Sequence, residues 1–266
     1  MNSSDFRAEA RNNLKGKWGK AACITLAYFA ISLLISFIEG LFPEDSAIKG
    51  IVSLAFSIIE VPLSFGFIIQ FLKFFKGEDV KAFDFLKNGF NNFKKAWGLT
   101  LHIFLKMLAP IALMIFSYVL IFAGFIGATS SAAVGGTGSL GILSLIGFIL
   151  LIVSVIWMIP RSYSYQLAYI IAADKTDLNS KEAVEKSAEM MNGNRWKLFC
   201  LQFSFIGWSI LAILSLGIGL LWLVPYLQFA LIVFYMFLNK NTSTVETTVA
   251  EQPKENNDDN GPIQEA

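Results

Sequence analysis

A few ionisable side chains stand inside long apolar runs of this chain, and their chemistry poses the first question. Glu60 and Arg161 each lie beside a proline, and His102 and Lys106 lie one helical turn apart. A charge buried in hydrocarbon costs at least about 3 kcal/mol, so such a residue is expected to be paired or functional. The polar candidates within apolar runs are Glu60, His102, Lys106, Arg161, Tyr163 and Tyr165.

The residue types and their spacing do not indicate an enzyme active site or a metal site. The chain has one histidine, and P-loop, H-E-x-x-H and G-x-S-x-G motifs are absent from it. Cys23, His102 and Cys200 fall at a similar predicted depth, but no two of them have the close spacing of metal ligands such as C-x-x-C. We therefore expect no catalytic residue, no bound metal and no cofactor.

The composition is that of a membrane protein. Hydrophobic residues make up 55% of the 266 residues and charged residues 15%, whereas a soluble domain carries about 25% charged residues. The apolar residues gather into runs long enough to span a bilayer, where helices satisfy the backbone internally. The predicted spans are 21–42, 50–72, 99–127, 141–172, 198–217 and 220–238. One long kinked helix over 198–238 is the alternative for the last two.

Basic residues alternate between the predicted loops. Segments 1–20, 73–98 and 173–197 are rich in Lys and Arg, whereas the intervening loops hold Lys49 alone. The positive-inside rule then places both termini in the cytoplasm. The first apolar run is long enough to span and lacks an A-x-A cleavage site, so we expect an uncleaved first helix.

Counting residues along the predicted helices places some of the polar candidates at similar depths in the membrane. At 1.5 Å per residue, Glu60 lies about 15 Å from the outer end of its helix, and Lys106 about 10–14 Å from the inner end of another. Glu60 is therefore expected at a level where it can meet Arg161 or Lys106. We favour a structural ion pair that holds the helices in register. A water-lined path or a polar-ligand site is the alternative.

Each cytoplasmic segment contains a short amphipathic stretch. Their apolar faces are Phe6, Ala10, Leu14 and Trp18 in the first, Phe83, Leu86, Phe90 and Phe93 in the second, and Val184, Ala188 and Met191 in the third. The second stretch interleaves its aromatic residues with lysines. Basic amphipathic helices lie in the headgroup layer, so we expect anionic membrane lipid as a partner of the first two stretches. Packing on neighbouring loops is the alternative, and the acidic third stretch favours it more.

The same pattern of a basic stretch, a tryptophan and an apolar run occurs three times along the chain. It predicts three repeated hairpins, each with an outgoing helix and a returning helix that contains a proline. The predicted interface anchors are Trp18, Trp97 and Trp196, and the predicted helix kinks are Pro62, Pro160 and Pro225. The fold class is thus an all-α polytopic membrane protein, a six-helix bundle of three hairpins with cytoplasmic amphipathic helices.

Three regions follow from this organisation. Residues 1–20 are expected to form a cytoplasmic amphipathic N-terminal helix, and residues 21–238 the six-helix transmembrane domain. Residues 239–266 are polar and acidic with almost no large apolar side chains. We expect them to form a disordered cytoplasmic tail.

Several short stretches together resemble a known family. They are Pro160-Arg161-x-Tyr163-x-Tyr165, MMNGNRWKLF, SFIGW at 204–208 and the pair Pro225-Tyr226, and the N-terminal ARNNLKGKWGKA also fits. The chain resembles a family of bacterial multi-pass integral membrane proteins of unknown function, common in Gram-positive bacteria. That family is similar in layout to the membrane domain attached to some glycerophosphodiester phosphodiesterases. The resemblance implies location and fold and carries no catalytic residue to this chain.

We expect a non-enzymatic membrane scaffold or envelope-homeostasis factor that grips anionic lipid and has no nucleic-acid partner. The main alternative is a transporter or exporter, or a protein of resistance to membrane-active peptides, with a polar path near Glu60, Lys106 and Arg161. A third hypothesis is a subunit that borrows lipid-modifying catalysis from a protein partner. The sequence names no ligand for any of them.

Overall fold

The computed structural model describes residues 1–44, 46–134 and 139–250, and these ranges are almost entirely helical. They contain no β-strand, which confirms the predicted all-α class. The helices are α1 Ser3–Leu14, α2 Trp18–Gly40, α3 Ala47–Phe75, α4 Asp84–Asn91, α5 Phe93–Val134, α6 Ser139–Tyr165, α7 Ala168–Asp174, α8 Ser180–Met190, α9 Arg195–Phe203, α10 Ile206–Leu214 and α11 Leu220–Ala250.

Six helical stretches of the described chain are long and apolar enough to cross a membrane, as predicted. They are Trp18–Gly40, Ala47–Phe75, Phe93–Gly127, Ile142–Asp174, Arg195–Leu214 and Leu220–Asn241. The largest shift from a predicted edge is at Phe93, where the third span begins before residue 99. Apolar runs set the middle of each span, while the ends extend into flanking polar residues. The protein is therefore a multi-pass membrane protein.

The last two spans are separate helices, so the alternative of one long kinked helix is wrong. Leu216 has φ 56° and Gly217 has φ 84°, and both lie in the left-handed region that ends a right-handed helix. The Ser215 hydroxyl then accepts a hydrogen bond from the Gly219 N–H at 2.8 Å, which starts the return into α11. The incoming half of this hairpin also breaks once, between α9 and α10.

Each short amphipathic helix packs on a hairpin rather than standing apart. Helix α4 follows the α2–α3 hairpin and packs on α3, and α8 follows the α5–α6 hairpin and packs on α5 and α7. Helix α1 packs on α11 of the last hairpin, which closes the order into a ring. The Phe6 ring lies 5.2 Å from Phe234 and 5.4 Å from Phe237. The internal repeat stays a prediction.

The packed core lies at one end of the bundle, beside α1, α4 and α8. We call this end the basic side, because the lysine- and arginine-rich segments join the helices there. The largest fully buried side chains include Phe65, Phe71, Phe85, Phe229 and Phe234. Toward the other end the helices expose large apolar residues such as Leu33, Phe122 and Ile156. Exposed apolar surface on membrane-spanning helices is where lipid chains are expected to pack.

An ionic contact joins the three returning helices at the basic side. The Lys76 ammonium at the end of α3 lies 2.6 Å from Oδ1 of Asp174 at the end of α7. The Tyr235 hydroxyl on α11 donates to Oδ2 of the same carboxylate at 2.6 Å. Tyr235 is fully buried, and the Asp174 side chain is 15% exposed. One carboxylate thus binds residues from both other hairpins.

The edges of the predicted regions need two corrections. Residues 18–20 belong to α2, because Lys15 and Gly16 end α1 at Leu14 and the next helix begins at Trp18. The predicted disordered tail begins inside α11, which continues to Ala250. Its first polar residues lack Pro and Gly, so the backbone continues the helix of the span. Residues 251–266 of that tail lie outside the described chain.

Candidate functional site

An exposed stripe of alternating aromatic and basic residues runs from the N-cap of α4 into the first turn of α5. Phe83 is the N-cap of α4, and Lys87 and Phe90 follow it at spacings of four and three residues on the exposed side of that helix. Lys94 lies four residues further on, in the first turn of α5. All four are exposed, Phe83 by 57% and Phe90 by 48%. We call these four residues the α4 stripe. Exposed aromatic rings that alternate with cations suit a boundary between lipid and water.

Two glycines fix the opposite face of α4 against α3. A Cβ atom on Gly89 would lie 2.2 Å from the carbonyl oxygen of Pro62, and one on Gly66 would lie 2.0 Å from that of Phe85. Real Cβ atoms do not approach backbone that closely, so the crossing requires glycine on both helices. The Gln70 side chain, buried in α3, donates to the Lys81 carbonyl at 2.6 Å. The α4 stripe therefore has a fixed orientation.

The loop that leads into α4 is also anchored to its surroundings. Asp84 accepts a hydrogen bond from the Lys81 N–H at 2.8 Å, which closes the turn before the helix. Earlier in the loop, Asp79 pairs with Lys20 at the start of α2. The hydrogen bond and charge of Lys20 lower the pKa of the exposed Asp79 carboxyl.

The other two amphipathic helices differ from α4 in what they expose. In α1 the predicted apolar residues Phe6, Ala10 and Leu14 are fully buried, so this helix has no apolar face left for lipid. This face packs on protein, because Phe6 inserts between aromatic rings of α11. The place of α1 in the headgroup layer stays a prediction. Helix α8 buries Val184 and exposes mainly acidic residues: Glu182, Glu185 and Glu189. The sequence favoured packing for the stretch that forms α8, but it did not distinguish α1 from α4.

Glu60 lies in a polar cleft between α2 and α3. The cleft has a volume of about 290 Å³, and Glu39 and Glu60 both line it. Its hydroxyl groups come from Ser32, Ser36, Ser53 and Ser57. On each helix the spacing is S-x-x-x-S-x-x-E, which places serines and glutamate on one face. Glu60 was a predicted site residue, whereas this repeated spacing was not predicted, although it is visible in the sequence.

The expected ion pair of Glu60 is absent from the described part of the chain, where no salt bridge includes it. Arg161 lies on the second hairpin, and its guanidinium donates to the Lys106 carbonyl at 2.8 Å. Pro110 lacks the N–H that would bind this carbonyl within α5, so the arginine replaces a missing helix bond. Arg161 also stacks 5.1 Å from the Trp157 ring.

A second proline-freed carbonyl has a similar partner. Pro62 cannot donate to the Ile58 carbonyl one turn earlier, and the Trp97 indole N–H donates to that oxygen at 3.1 Å. Trp97 thus joins α5 to α3. Of the other predicted anchors, Trp18 packs edge-on against Tyr226 at 6.0 Å, and Trp196 is 70% exposed. Pro160 and Pro225 also lie inside helices, and the predicted kinks there stay predictions.

The remaining predicted site residues are spread over different contacts. His102 Nδ1–H donates to the Gly98 carbonyl within α5 at 2.7 Å. The Tyr163 ring lies 6.0 Å from Phe199, and Tyr165 packs against the buried core. Cys23 is exposed, Cys200 is half-buried, and no metal-binding group of three or more ligands occurs within the described ranges. The polar candidates thus form no single centre.

Comparison with known proteins places the chain in a family. No curated protein matches it, and no solved structure matches it either. The family described as Protein of unknown function (DUF975) matches residues 1–242, which include all six candidate spans and the three amphipathic helices. Because this match covers most of the chain, the protein belongs to the DUF975 family.

Proposed function

We propose that this protein is a non-enzymatic membrane scaffold or envelope-homeostasis factor that holds anionic lipid at the inner leaflet of the bacterial plasma membrane. The observation that carries the proposal is the exposed α4 stripe of Phe83, Lys87, Phe90 and Lys94. Its aromatic rings would enter the boundary between headgroups and acyl chains. Its ammonium groups would meet anionic headgroups in the same layer.

The expected binding free energies favour selective binding of anionic lipid over equal binding of any lipid. Each Lys near an anionic membrane surface contributes about 1 kcal/mol. The two lysines of the stripe therefore provide about 2 kcal/mol, or about a thirtyfold preference for anionic lipid. The rings alone do not distinguish lipid charge. Since α4 is fixed by the glycine crossing, little ordering entropy opposes binding.

The orientation is part of the proposal. Lysine and arginine crowd the loops of the basic side, and such residues accumulate in cytoplasmic loops. The cytoplasmic leaflet carries the negative surface potential that attracts basic segments. With both termini in the cytoplasm, α4 would lie at that leaflet. The charge of the loops and the chemistry of the stripe thus both favour the cytoplasmic side of the membrane for α4.

The test measures lipid preference beside α4 itself. Asn91, exposed at the end of α4, is replaced by cysteine in full-length protein with Cys23→Ala and Cys200→Ala, and is labelled with a small fluorophore. Brominated phosphatidylglycerol should quench this label more strongly than brominated phosphatidylcholine in mixed vesicles. The double substitution Lys87→Gln with Lys94→Gln should reduce that preference by about thirtyfold.

Helix α8 supplies the matched controls. A label at Glu185, exposed on the acidic surface of α8, should show no preference for phosphatidylglycerol. Lys181→Gln with Lys186→Gln removes the same charge from α8 and should leave quenching at Asn91 unchanged. Equal quenching of the label at position 91 by both lipids, in the protein that keeps Lys87 and Lys94, would contradict the proposal.

Transport is the second candidate function, and the polar cleft between α2 and α3 favours it. Glu60 lies thirteen residues into α3, about 20 Å from its first residue. A carboxylate at that depth, with serine hydroxyls facing it, would suit a small cation or a proton. Lys106 and Arg161 are on the other hairpin and are no longer part of the proposed path.

Water access distinguishes transport from a closed cleft. Single cysteines replace Ser36, Ser53 or Glu60 in the cysteine-free protein, and intact vesicles are exposed to an impermeant thiol reagent from each side. Transport predicts labelling at all three positions, with position 60 reached from the basic side in part of the population. Protection of position 60 from both sides, relieved by denaturation, would exclude a hydrated path there.

A further inference from the structure

A groove runs along the third hairpin. It has a volume of about 410 Å³ and lies between the α10–α11 hairpin and the N-terminal segment of the chain. Its walls are large aromatic residues, namely Trp18, Trp208, Trp222 and Tyr226. Both Trp208 and Trp222 remain about half exposed, by 56% and 47%. The groove is therefore open along its side.

Small residues keep the groove open near the far turn of the hairpin. A Cβ atom on Gly219 would lie 2.8 Å from the Cα atom of Ala212 and 2.9 Å from the Ser215 Oγ. All three residues line the groove, so α10 and α11 touch closely there and leave room beside them. From Gly219 to Tyr226 the groove follows α11 for about 10 Å. This length accommodates part of a single acyl chain.

The opposite end of the groove is cationic. Among the residues described along it, Arg11 alone is charged, and within the described chain its exposed guanidinium makes no hydrogen bond or ion pair. Hydrogen bonds fix the segment that carries it. Arg7 donates to the Ser204 carbonyl at 3.3 Å, and the Tyr226 hydroxyl donates to the Arg7 carbonyl at 3.2 Å. The position of Arg11 above the aromatic walls is thus set by α1.

We propose that this groove binds one anionic phospholipid, with an acyl chain between the tryptophans and the phosphate at Arg11. Helices α10 and α11 belong to membrane-spanning stretches, so hydrocarbon is the solvent that reaches the open side. A guanidinium matches a phosphate in charge and hydrogen-bond geometry. The inference deepens the proposed function, because it gives anionic lipid a second, discrete site, and it uses no residue of the α4 stripe.

The test uses the native tryptophans of the full-length protein in mild detergent. Phosphatidylglycerol with brominated acyl chains is titrated into the micelles, and quenching of tryptophan emission is recorded. Three of the six tryptophans line the groove, so saturation should remove up to about half of the emission. Arg11→Gln should raise the half-saturating mole fraction of this lipid by about tenfold, because a hydrogen-bonded charge is lost.

A second variant narrows the groove without adding a tryptophan. Leu211 lines it from an exposed position, and Leu211→Phe should lower the maximal quenching by about twofold. Leu214→Phe places the same change on the same helix away from the groove and should leave the titration unaltered. Lys15→Gln is the matched control for charge, since Lys15 is exposed after α1 and does not line the groove.

Three results would overturn the inference. Equal quenching by brominated phosphatidylcholine would show that the groove does not select an anion. An unaltered titration in Arg11→Gln would show that Arg11 does not bind the phosphate. Quenching by a brominated fatty acid, with none by the phospholipid, would assign the groove to a smaller amphiphile. Loss of lipid preference at the Asn91 label, with this titration intact, would contradict the α4 proposal alone.

Discussion

Replacing Asp174 by alanine should lower the free energy of unfolding by about 3 kcal/mol. The substitution leaves the buried Tyr235 hydroxyl without its acceptor and removes the partner of the Lys76 ammonium. Breaking a buried pair by deleting one partner costs about 3–5 kcal/mol. The lower end applies here, because the Lys76 side chain is 42% exposed. Equilibrium unfolding in mixed micelles of sodium dodecyl sulfate and dodecyl maltoside would measure the change.

One further substitution isolates the hydrogen bond of Tyr235, and another serves as a control. Tyr235→Phe removes only the hydroxyl and should cost about 1.5–3 kcal/mol, the range for a hydrogen bond to a charged group. Asp79→Asn is the matched control, because it breaks another Lys–Asp pair whose side chains are 42% and 93% exposed. An exposed pair contributes little to stability, because solvent screens it. If Asp174→Ala destabilised no more than Asp79→Asn, the three returning helices would not depend on this contact.

Replacing Gly89 by valine should separate α4 from α3. The first added atom would lie 2.2 Å from the Pro62 carbonyl oxygen, and the atoms it meets belong to backbone that cannot rotate away. Overpacking a core costs about 1–3 kcal/mol, and a backbone clash belongs at about 3 kcal/mol. The α4 stripe would then lose its fixed orientation. We expect a loss of stability in the same unfolding assay together with weaker lipid preference at the Asn91 label.

Gly50→Val is the control for this substitution. Gly50 is also a glycine inside α3, but a Cβ atom there has no neighbour within 4 Å. The change should stay within about 0.5 kcal/mol. Should Gly89→Val prove as mild as Gly50→Val, then α3 and α4 would not cross in the close contact described.

The membrane architecture was predictable because it depends on composition and length. Runs of apolar residues and the alternation of basic loops give the six spans without knowledge of any contact. Periodicity also identified Phe6, Ala10 and Leu14 as one face of α1. It did not identify what covers that face, because the aromatic rings of α11 are more than two hundred residues away in sequence. A face that suits lipid and a face that suits protein have the same pattern.

The prediction of an ion pair for Glu60 was wrong for a geometric reason. Residue counting gives the depth of a side chain along its helix, but it does not give the direction in which the side chain points. Arg161 satisfies the carbonyl that Pro110 frees, and Glu60 faces serines across the first hairpin. The Lys76–Asp174–Tyr235 contact was likewise missed, because its members are separated in sequence and each looks like an ordinary residue near a helix end.

The depth of α4 in a membrane tests the central claim most directly. The fluorophore at Asn91 and, for comparison, at Glu185 on α8 would be quenched in phosphatidylglycerol vesicles by lipids with nitroxides at known depths, and by iodide in water. The account predicts that shallow acyl-chain nitroxides quench Asn91 and that iodide reaches Glu185 far better than Asn91. Free access of iodide to Asn91, with no quenching by any lipid nitroxide, would contradict it.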